Sequence, residues 1–237
     1  MKESPMNIAV LGTGVVGQVL ASALAAKGHA VMMGTRDVQQ ALAREQKATG
    51  AQLTLAEWHR QNPQVGLGTF AEAAAFGEVV VNATSGFGAL PALEAAGEAN
   101  LDGKILIDVS NPLDFSRGMP PTLFVANTDS LGEQIQRRFP GSKVVKTLNT
   151  VNAYLMVNPR QLAGGDHTLF VSGDDAQAKA TVAGYLRDWF GWEDVIDLGD
   201  ITTARGTEML LPIWVRLWGA LQTPVFNFKV VRQAAGQ

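Results

Sequence analysis

Short apolar runs alternate along most of the chain with segments whose apolar residues recur every three or four positions. The short runs predict buried strands, and the recurring spacing predicts helices. Strands are predicted at 7–12, 29–34, 78–84, 104–110 and 143–149, and helices at 15–28, 37–50, 90–99 and 130–140. Because strands and helices alternate, the pattern predicts an α/β fold, a doubly wound parallel sheet with helices on both faces.

The last third of the chain follows a different pattern. Strands predicted at 167–173 and 193–199 flank a helix at 174–191, and a long apolar helix is predicted from about Thr202 to Leu221. This predicts a smaller, mainly helical C-terminal region. The two regions are expected to meet near 150–159, without a flexible linker.

Composition narrows the functional classes. The chain has 237 residues, 46% hydrophobic and 17% charged, with a formal net charge of −3 and no cysteine. The absence of cysteine excludes disulfides and thiolate chemistry. The slightly negative net charge disfavours nucleic acid as a partner. We see no apolar signal segment and no apolar run long enough for a bilayer, so we expect a cytoplasmic protein without membrane contact. Three scattered histidines predict no metal site.

A glycine-rich turn follows the first strand and opens the first predicted helix. Gly12, Gly14 and Gly17 spell G-x-G-x-x-G in the strand–turn–helix context that indicates dinucleotide binding by a Rossmann-type fold. Gly12 allows the tight turn, Gly14 lets the pyrophosphate approach the backbone, and Gly17 lets the helix pack on the strand. The context disfavours the alternative, a glycine-rich turn that binds no ligand.

The end of the second strand decides between NAD and NADP. Asp37 lies 20 residues after Gly17, a count that alone favours NAD. The strand is predicted to end near Gly34, however, so Thr35 stands at its tip and Asp37 is better placed to cap the following helix. Thr35 and Arg36 can donate to a 2′-phosphate, which a carboxylate would repel. We therefore predict a preference for NADP.

Three segments carry a resemblance to a known family. They are IAVLGTGVVGQVLASALAAKGHAVMMGTRD, DVSNPLDF and KVVKTLNTVNA. The chain resembles the coenzyme F420-dependent NADP oxidoreductases, which act with a deazaflavin coenzyme, and it is similar to the reductase domain of the STEAP metalloreductases. In its turn NATSGFGALPALE the sequence departs from the proline-containing turn of the deazaflavin reductases.

The resemblance implies that NADP lies along the carboxyl ends of the strands, with the deazaflavin stacked on the nicotinamide. The implied contacts, from the pyrophosphate and the 2′-phosphate to the ribose and the nicotinamide, are Thr13, Gly14, Val15 and Val16, then Thr35 and Arg36, then Ala83, Thr84 and Ser85, then Asn111 and Pro112, and finally Asn149, Thr150 and Ala153.

These observations favour hydride transfer between NADP(H) and a small redox acceptor, either coenzyme F420 or a flavin-like molecule. Ring stacking and the exclusion of water carry such a reaction, so no catalytic acid or base is assigned. One alternative is an NADPH-dependent reductase of a small carbonyl or imine, which would need a proton donor. Another is a non-catalytic NADPH sensor.

Residues 1–153 are interpreted as the NADP-binding domain and residues 154–237 as a smaller domain that closes the nicotinamide cleft. Asp108 is expected to be a hydrogen-bonded structural carboxylate. Lys146 is expected either to approach the nicotinamide or to extend its amine to the surface. Trp214 and Trp218 lie one helical turn apart and indicate a core or dimer contact, so we expect a homodimer.

Overall fold

The computed structural model describes residues 4–233. Within them, eight strands form one sheet in the order β10-β9-β8-β5-β4-β1-β2-β3, and two short strands, β6 and β7, form a hairpin. The strands are β1 (Asn7–Leu11), β2 (Ala30–Thr35), β3 (Gly66–Thr69), β4 (Val79–Asn82), β5 (Ile105–Asp108), β6 (Leu113–Asp114), β7 (Thr122–Leu123), β8 (Lys143–Thr147), β9 (Thr168–Ser172) and β10 (Asp194–Asp197).

Helices cover both faces of the sheet. They are α1 (Val15–Ala26), α2 (Val38–Leu42), α3 (Leu55–Gln61), α4 (Phe70–Phe76), α5 (Gly86–Ala96), α6 (Glu98–Leu101), α7 (Leu131–Arg138), α8 (Ala153–Val157), α9 (Ala176–Tyr185), α10 (Ala204–Met209) and α11 (Leu211–Leu221). Alternate residues of β1 face opposite ways: Ile8 and Val10 join the core under α1, α8 and α9, whereas Ala9 and Leu11 join the core under α4, α5 and α7.

The predicted fold class is confirmed, with one refinement of the sheet. The first six strands from β3 to β8 in the sheet order are parallel, but β9 pairs antiparallel with β8 and parallel with β10. The C-terminal region therefore extends the same sheet.

Two predicted helices are shorter than their sequence pattern suggested. The helix predicted at 37–50 ends at Leu42, because the residues that follow are mainly polar and offer no apolar face to bury. The helix predicted from Thr202 to Leu221 is divided into a 3-10 turn, α10 and α11. Pro212 lies in the first turn of α11, where its missing N–H cannot continue the hydrogen-bond ladder of α10.

Strand β3 was not predicted from the sequence. It contains Gly66 and Gly68, which lack the side chains that mark a strand, and it pairs with β2 at the edge of the sheet. It leads directly into α4, whose N-terminus is capped by Thr69. This edge strand completes the wall beside the end of β2.

Candidate cofactor groove

The glycine turn between β1 and α1 has the geometry its spacing predicts. Gly12 has φ of 115°, and a Cβ there would lie 2.6 Å from the carbonyl oxygen of Ala83. A Cβ on Gly17 would collide with the carbonyl oxygen of Gly12. Both positions therefore require glycine. Gly12 needs it for its backbone conformation and its close packing, and Gly17 needs it so that the helix can approach the turn.

The N-terminus of α1 fits a pyrophosphate. Gly14 is the N-cap, no side chain caps the helix there, and a Cβ on Gly14 would meet nothing within 4 Å. Open space thus lies over the first amides of a twelve-residue helix, where N–H groups and the helix dipole favour an anion. Residues of the turn therefore fit the phosphate portion of a dinucleotide.

The three residues that could contact the adenosine ribose take different positions at the end of β2. Thr35 is the last strand residue, one position later than predicted, and Arg36 is exposed just beyond it. Asp37 caps α2: its Oδ1 accepts a hydrogen bond from the backbone N of Gln40 at 2.9 Å. The predicted capping role of Asp37 is confirmed, and a basic residue is left beside the cavity at the strand tip.

A groove runs across the carboxyl ends of the parallel strands, where the sheet order reverses between β1 and β4. Its first half, about 360 Å³, is lined by the glycine turn, Thr35, Arg36 and Arg44. Its second half, about 530 Å³, is lined by Val16, Asn111 and the β6 segment. Ala83, Thr84 and Ser85 line both halves, so the two cavities adjoin at the end of β4.

Most of the predicted cofactor contacts line this groove, but some lie behind it. Gly17 and Pro112 are buried, and Val15 faces a separate cavity between α1 and α3. Asn149, Thr150 and Ala153 are buried in the segment after β8 and line neither half. Their predicted contacts with nicotinamide remain predictions.

Asn149 is joined directly to the groove through Asn111. The Nδ2 of Asn111 donates to the carbonyl oxygen of Asn149 at 2.8 Å, and the Nδ2 of Asn149 donates to Oδ1 of Asn111 at 3.0 Å. The same Asn149 amide group lies 3.2 Å from the carbonyl oxygen of Thr207 in α10. A pair of asparagines thus ties the loop after β5 to the C-terminal region.

A buried charged network supports the ends of three neighbouring strands. The Nζ of Lys146 lies 2.7 Å from Oδ2 of Asp108 and 2.8 Å from Oε1 of Glu208, and all three side chains are almost completely buried. The other Asp108 oxygen accepts hydrogen bonds from Nδ2 of Asn82 at 2.8 Å and from Oγ of Ser110 at 2.7 Å. The expectation of a hydrogen-bonded Asp108 is confirmed.

Glu208 connects this network to α7. Its two carboxylate oxygens accept hydrogen bonds from the backbone N of Leu131 at 2.8 Å and of Gly132 at 3.0 Å, the first amides of that helix. Both amides belong to the positive end of the helix dipole, which favours a carboxylate. The Glu208 carboxylate therefore interacts both with the positive charge of Lys146 and with the positive end of the α7 dipole.

The position of Lys146 contradicts one of its two predicted roles. Its amine is buried and its donors are directed to Asp108, Glu208 and the carbonyl oxygen of Ser110, so the expectation that it reaches the surface was wrong. Burial lowers the pKa of Lys146, but the charges of Asp108 and Glu208 outweigh burial and leave this pKa above its usual value. The lysine stays protonated and positions the strand ends.

One arginine and two phenylalanines are among the groove residues that had no role in the sequence interpretation. Arg44 lies two residues beyond the end of α2 and lines the first half of the groove. Phe87 and Phe115 line the second half. A large apolar residue within SGFG, directly after a strand end, was the available signal for Phe87.

The histidines take structural positions. His29 packs against Trp189, with ring centroids 4.8 Å apart, and His167 is buried, with Nε2 2.9 Å from the carbonyl oxygen of Pro159. His59 is half-buried. In residues 4–233 no group of three His, Cys, Asp or Glu is placed to hold a metal ion. None of the described helices combines the length and apolar composition needed to cross a bilayer.

Comparisons with known proteins agree with the interpretation of this groove as a dinucleotide-binding site. The sequence model of the family described as NADP oxidoreductase, coenzyme F420-dependent, matches residues 7–112. The chain is 29% identical to the F420-dependent NADP reductase of Methanothermobacter marburgensis, over 90% of this chain and 92% of that protein. It is 30% identical to the metalloreductase STEAP3 of Rattus norvegicus over 90% of its own length, but it spans only 38% of that relative.

A solved structure extends the similarity over the whole fold. The crystal structure of a protein from Arthrobacter sp. FB24, provisionally assigned as an F420-dependent NADP reductase, is 62% identical, with a TM-score of 0.90. The match covers 96% of this chain and all of that one. The chain therefore belongs to the coenzyme F420-dependent NADP oxidoreductase family, and it is an NADP-dependent oxidoreductase.

Proposed function

We propose that this protein transfers a hydride between NADP(H) and a deazaflavin or flavin-like acceptor whose ring stacks on the nicotinamide. When bound, the two cofactors would supply the chemistry, which is the transfer of a hydride from the dihydronicotinamide to the acceptor ring, with a proton from solvent completing the reduced acceptor. The chain's own residues orient the two rings and exclude water between them.

The observation that carries this proposal is the lining of the second half of the groove. Among the described residues, its one ionisable side chain is Asp114; the others are small, apolar, amide or hydroxyl groups. A hydrogen bond from the backbone N of Ser116 lowers the pKa of Asp114, so this carboxylate is ionised at neutral pH and cannot act as a general acid. Ring-to-ring hydride transfer needs no such acid.

The first half of the groove supports the binding of NADP rather than NAD. We assign the pyrophosphate to the turn around Thr13 and Gly14, and the 2′-phosphate to Thr35 and Arg36. Arg44 lines the same cavity and adds a second positive charge. Ala83, Thr84 and Ser85 would lie beneath the ribose.

The nicotinamide end would be formed by Val16 and Asn111. Asn149 would act by holding Asn111 in place, because its side chain is committed to Asn111 and Thr207. The contact between Asn149 and α10 supports the proposal that residues 154–237 close this end of the groove. Thr150, Ala153 and Pro112 would support the same wall from behind.

The test is a turnover assay with purified protein and NADPH, followed by absorbance. We expect oxidised F420 or riboflavin to be reduced at the expense of NADPH, with little reduction of simple ketones or cyclic imines. Reduction of carbonyls or imines, but not of ring acceptors, would instead support the reductase of small substrates. Tight NADPH binding without reduction of any acceptor would refute the proposal in favour of a sensor.

We also propose that α11 mediates a homodimer. Leu211 and Val215 of this helix are buried, whereas Ile213, Trp218 and Leu221 of the same helix expose apolar surface. Light scattering should give the mass of a dimer, and Trp218→Ser should shift it towards the monomer. A monomeric wild-type protein at micromolar concentration would contradict this assignment.

A further inference from the structure

An exposed pair of phenylalanines borders the second half of the groove. Phe87 is 60% exposed and Phe115 is 55% exposed, yet both line the same cavity of about 530 Å³. Large apolar side chains left open in a concave site indicate a ligand that covers them. The cavity is also large enough to hold a second ring system beside a nicotinamide.

The two phenylalanines are held by different parts of the fold. Phe87 lies in the first turn of α5, which starts where Gly86 packs closely against the carbonyl of Asn111. Its ring is stacked on that of Phe124, with centroids 4.4 Å apart and planes 27° apart. This backing ring fixes the orientation of Phe87, so the opposite ring face is available to a ligand.

Phe115 follows β6 on the β6–β7 hairpin. Leu113 and Asp114 pair antiparallel with Leu123 and Thr122, so the residues after Asp114 form a protruding tip. Phe115 begins this tip and lines the cavity, whereas Met119, 62% exposed on the same tip, does not. The hairpin therefore presents one aromatic ring to the groove.

Asp114 adds an anion to this otherwise uncharged wall. Its Oδ1 accepts a hydrogen bond from the backbone N of Ser116 at 2.8 Å, and the Ser116 side chain also interacts with this carboxylate. Because a carboxylate has about four acceptor sites, capacity remains to accept from a ligand. A carboxylate in an apolar cleft favours a hydrogen-bond donor and opposes an anionic group. The cleft thus combines two ring faces with one negatively charged acceptor.

We propose that Phe87 and Phe115 bind the hydride acceptor as a planar heteroaromatic ring, and that Asp114 selects rings presenting an N–H donor at their edge. This rests on the proposed ring-to-ring hydride transfer and specifies its acceptor. Flavins and deazaflavins satisfy the requirement through the N–H of their pyrimidinedione ring. Planar quinones, which lack such a donor, do not.

Steady-state kinetics with NADPH and two matched acceptors, riboflavin and N3-methylriboflavin, test the proposal. Methylation removes the donor and keeps the ring. Because a hydrogen bond to a charged group is strong, wild-type kcat/KM should be at least about 10-fold higher for riboflavin. Asp114→Asn keeps an oxygen for the Ser116 amide but removes the charge, so the two acceptors should become equal within about twofold.

The aromatic pair is tested by Phe87→Leu and Phe115→Leu, with Met119→Leu as the control on the same hairpin tip. Loss of one stacked ring should lower kcat/KM for riboflavin by about 2- to 13-fold. The control should keep the wild-type value, and the Kd for NADPH, measured by fluorescence, should be unchanged in all three variants. These variants replace exposed side chains, so a loss of folding is not expected to obscure the result.

The outcomes separate this inference from the function on which it rests. If riboflavin and F420 are both left unreduced while NADPH binds, the proposed function fails and this inference fails with it. If riboflavin is reduced but the phenylalanine variants match the control, or Asp114→Asn keeps the discrimination, only this inference is overturned. A weakened NADPH Kd in the phenylalanine variants would overturn it too, because it would assign both rings to the nicotinamide.

Discussion

Replacing Lys146 with methionine should destabilise the protein strongly although the side chain does not itself line the groove. Methionine has a similar length and packs in the same space, so the change removes charge more than volume. It leaves Asp108 and Glu208 buried and negatively charged without the cation that lies 2.7 Å and 2.8 Å from them. The strand ends beneath the second half of the groove would lose their common support.

The magnitude follows from what each carboxylate retains. Breaking a buried ion pair by removing one partner costs about 3–5 kcal/mol. Asp108 keeps its bonds from Asn82 and Ser110, and Glu208 keeps its bonds from the first amides of α7. We therefore expect a loss near the lower limit, about 3 kcal/mol in the free energy of unfolding. For a chain of this size that corresponds to about 6–12 °C in Tm.

The pH dependence gives a second signature. The pKa of Lys146 is raised in the folded protein, so its contribution is complete below the unfolded lysine pKa of about 10.4. The contribution is lost as pH rises through the higher folded value. The difference between wild type and Lys146→Met should therefore be constant near neutral pH and should shrink only in strongly alkaline solution.

Urea unfolding followed by tryptophan fluorescence measures this difference. Arg160→Met is the matched control, because Arg160 pairs with Glu193 at 2.8 Å but both side chains are 66% exposed. An exposed pair is worth about 0–1 kcal/mol, so the control should change little. If Lys146→Met lost less than about 1 kcal/mol, the argument that this buried lysine compensates two carboxylates would be refuted.

Three further predictions concern the groove and the surface. Arg36→Ala should raise the Kd for NADPH by about 10-fold or more and spare NADH, measured by fluorescence titration; equal losses would contradict the 2′-phosphate assignment. Gly17→Ala should lower Tm and NADPH affinity because its methyl group meets the glycine turn, whereas Gly184→Ala, with open space within 4 Å, should lower neither. Arg137 holds the pKa of Asp129 at about 2, so this carboxylate stabilises the fold above about pH 4 and loses its effect as pH falls towards 2. In the Asp129→Asn variant, the urea midpoint should no longer fall with this carboxylate's protonation between about pH 4 and pH 2. A pH profile equal to that of the wild type would contradict the assigned contribution of Asp129.

The sequence alone determined the features that depend on near neighbours. Strand and helix periodicity predicted seven of the eight sheet strands, because side-chain alternation and apolar spacing are local properties. The spacing of Gly12, Gly14 and Gly17 predicted the turn, and the length of β2 predicted that Asp37 caps a helix. Strand β3 was not predicted because its glycines lack the side chains that produce such a pattern.

The tertiary structure alone decided which distant residues meet. Lys146 reads as an isolated lysine in an apolar strand, and its two carboxylate partners come from β5 and α10. Asn149 is separated from the groove by Asn111, and Phe87 and Phe115 face one cavity from a helix and a hairpin. These contacts depend on the order of the strands in the sheet and on where the loops end. The packed fold determines which residues are buried and which charges pair, and adjacent residues in the sequence do not reveal it.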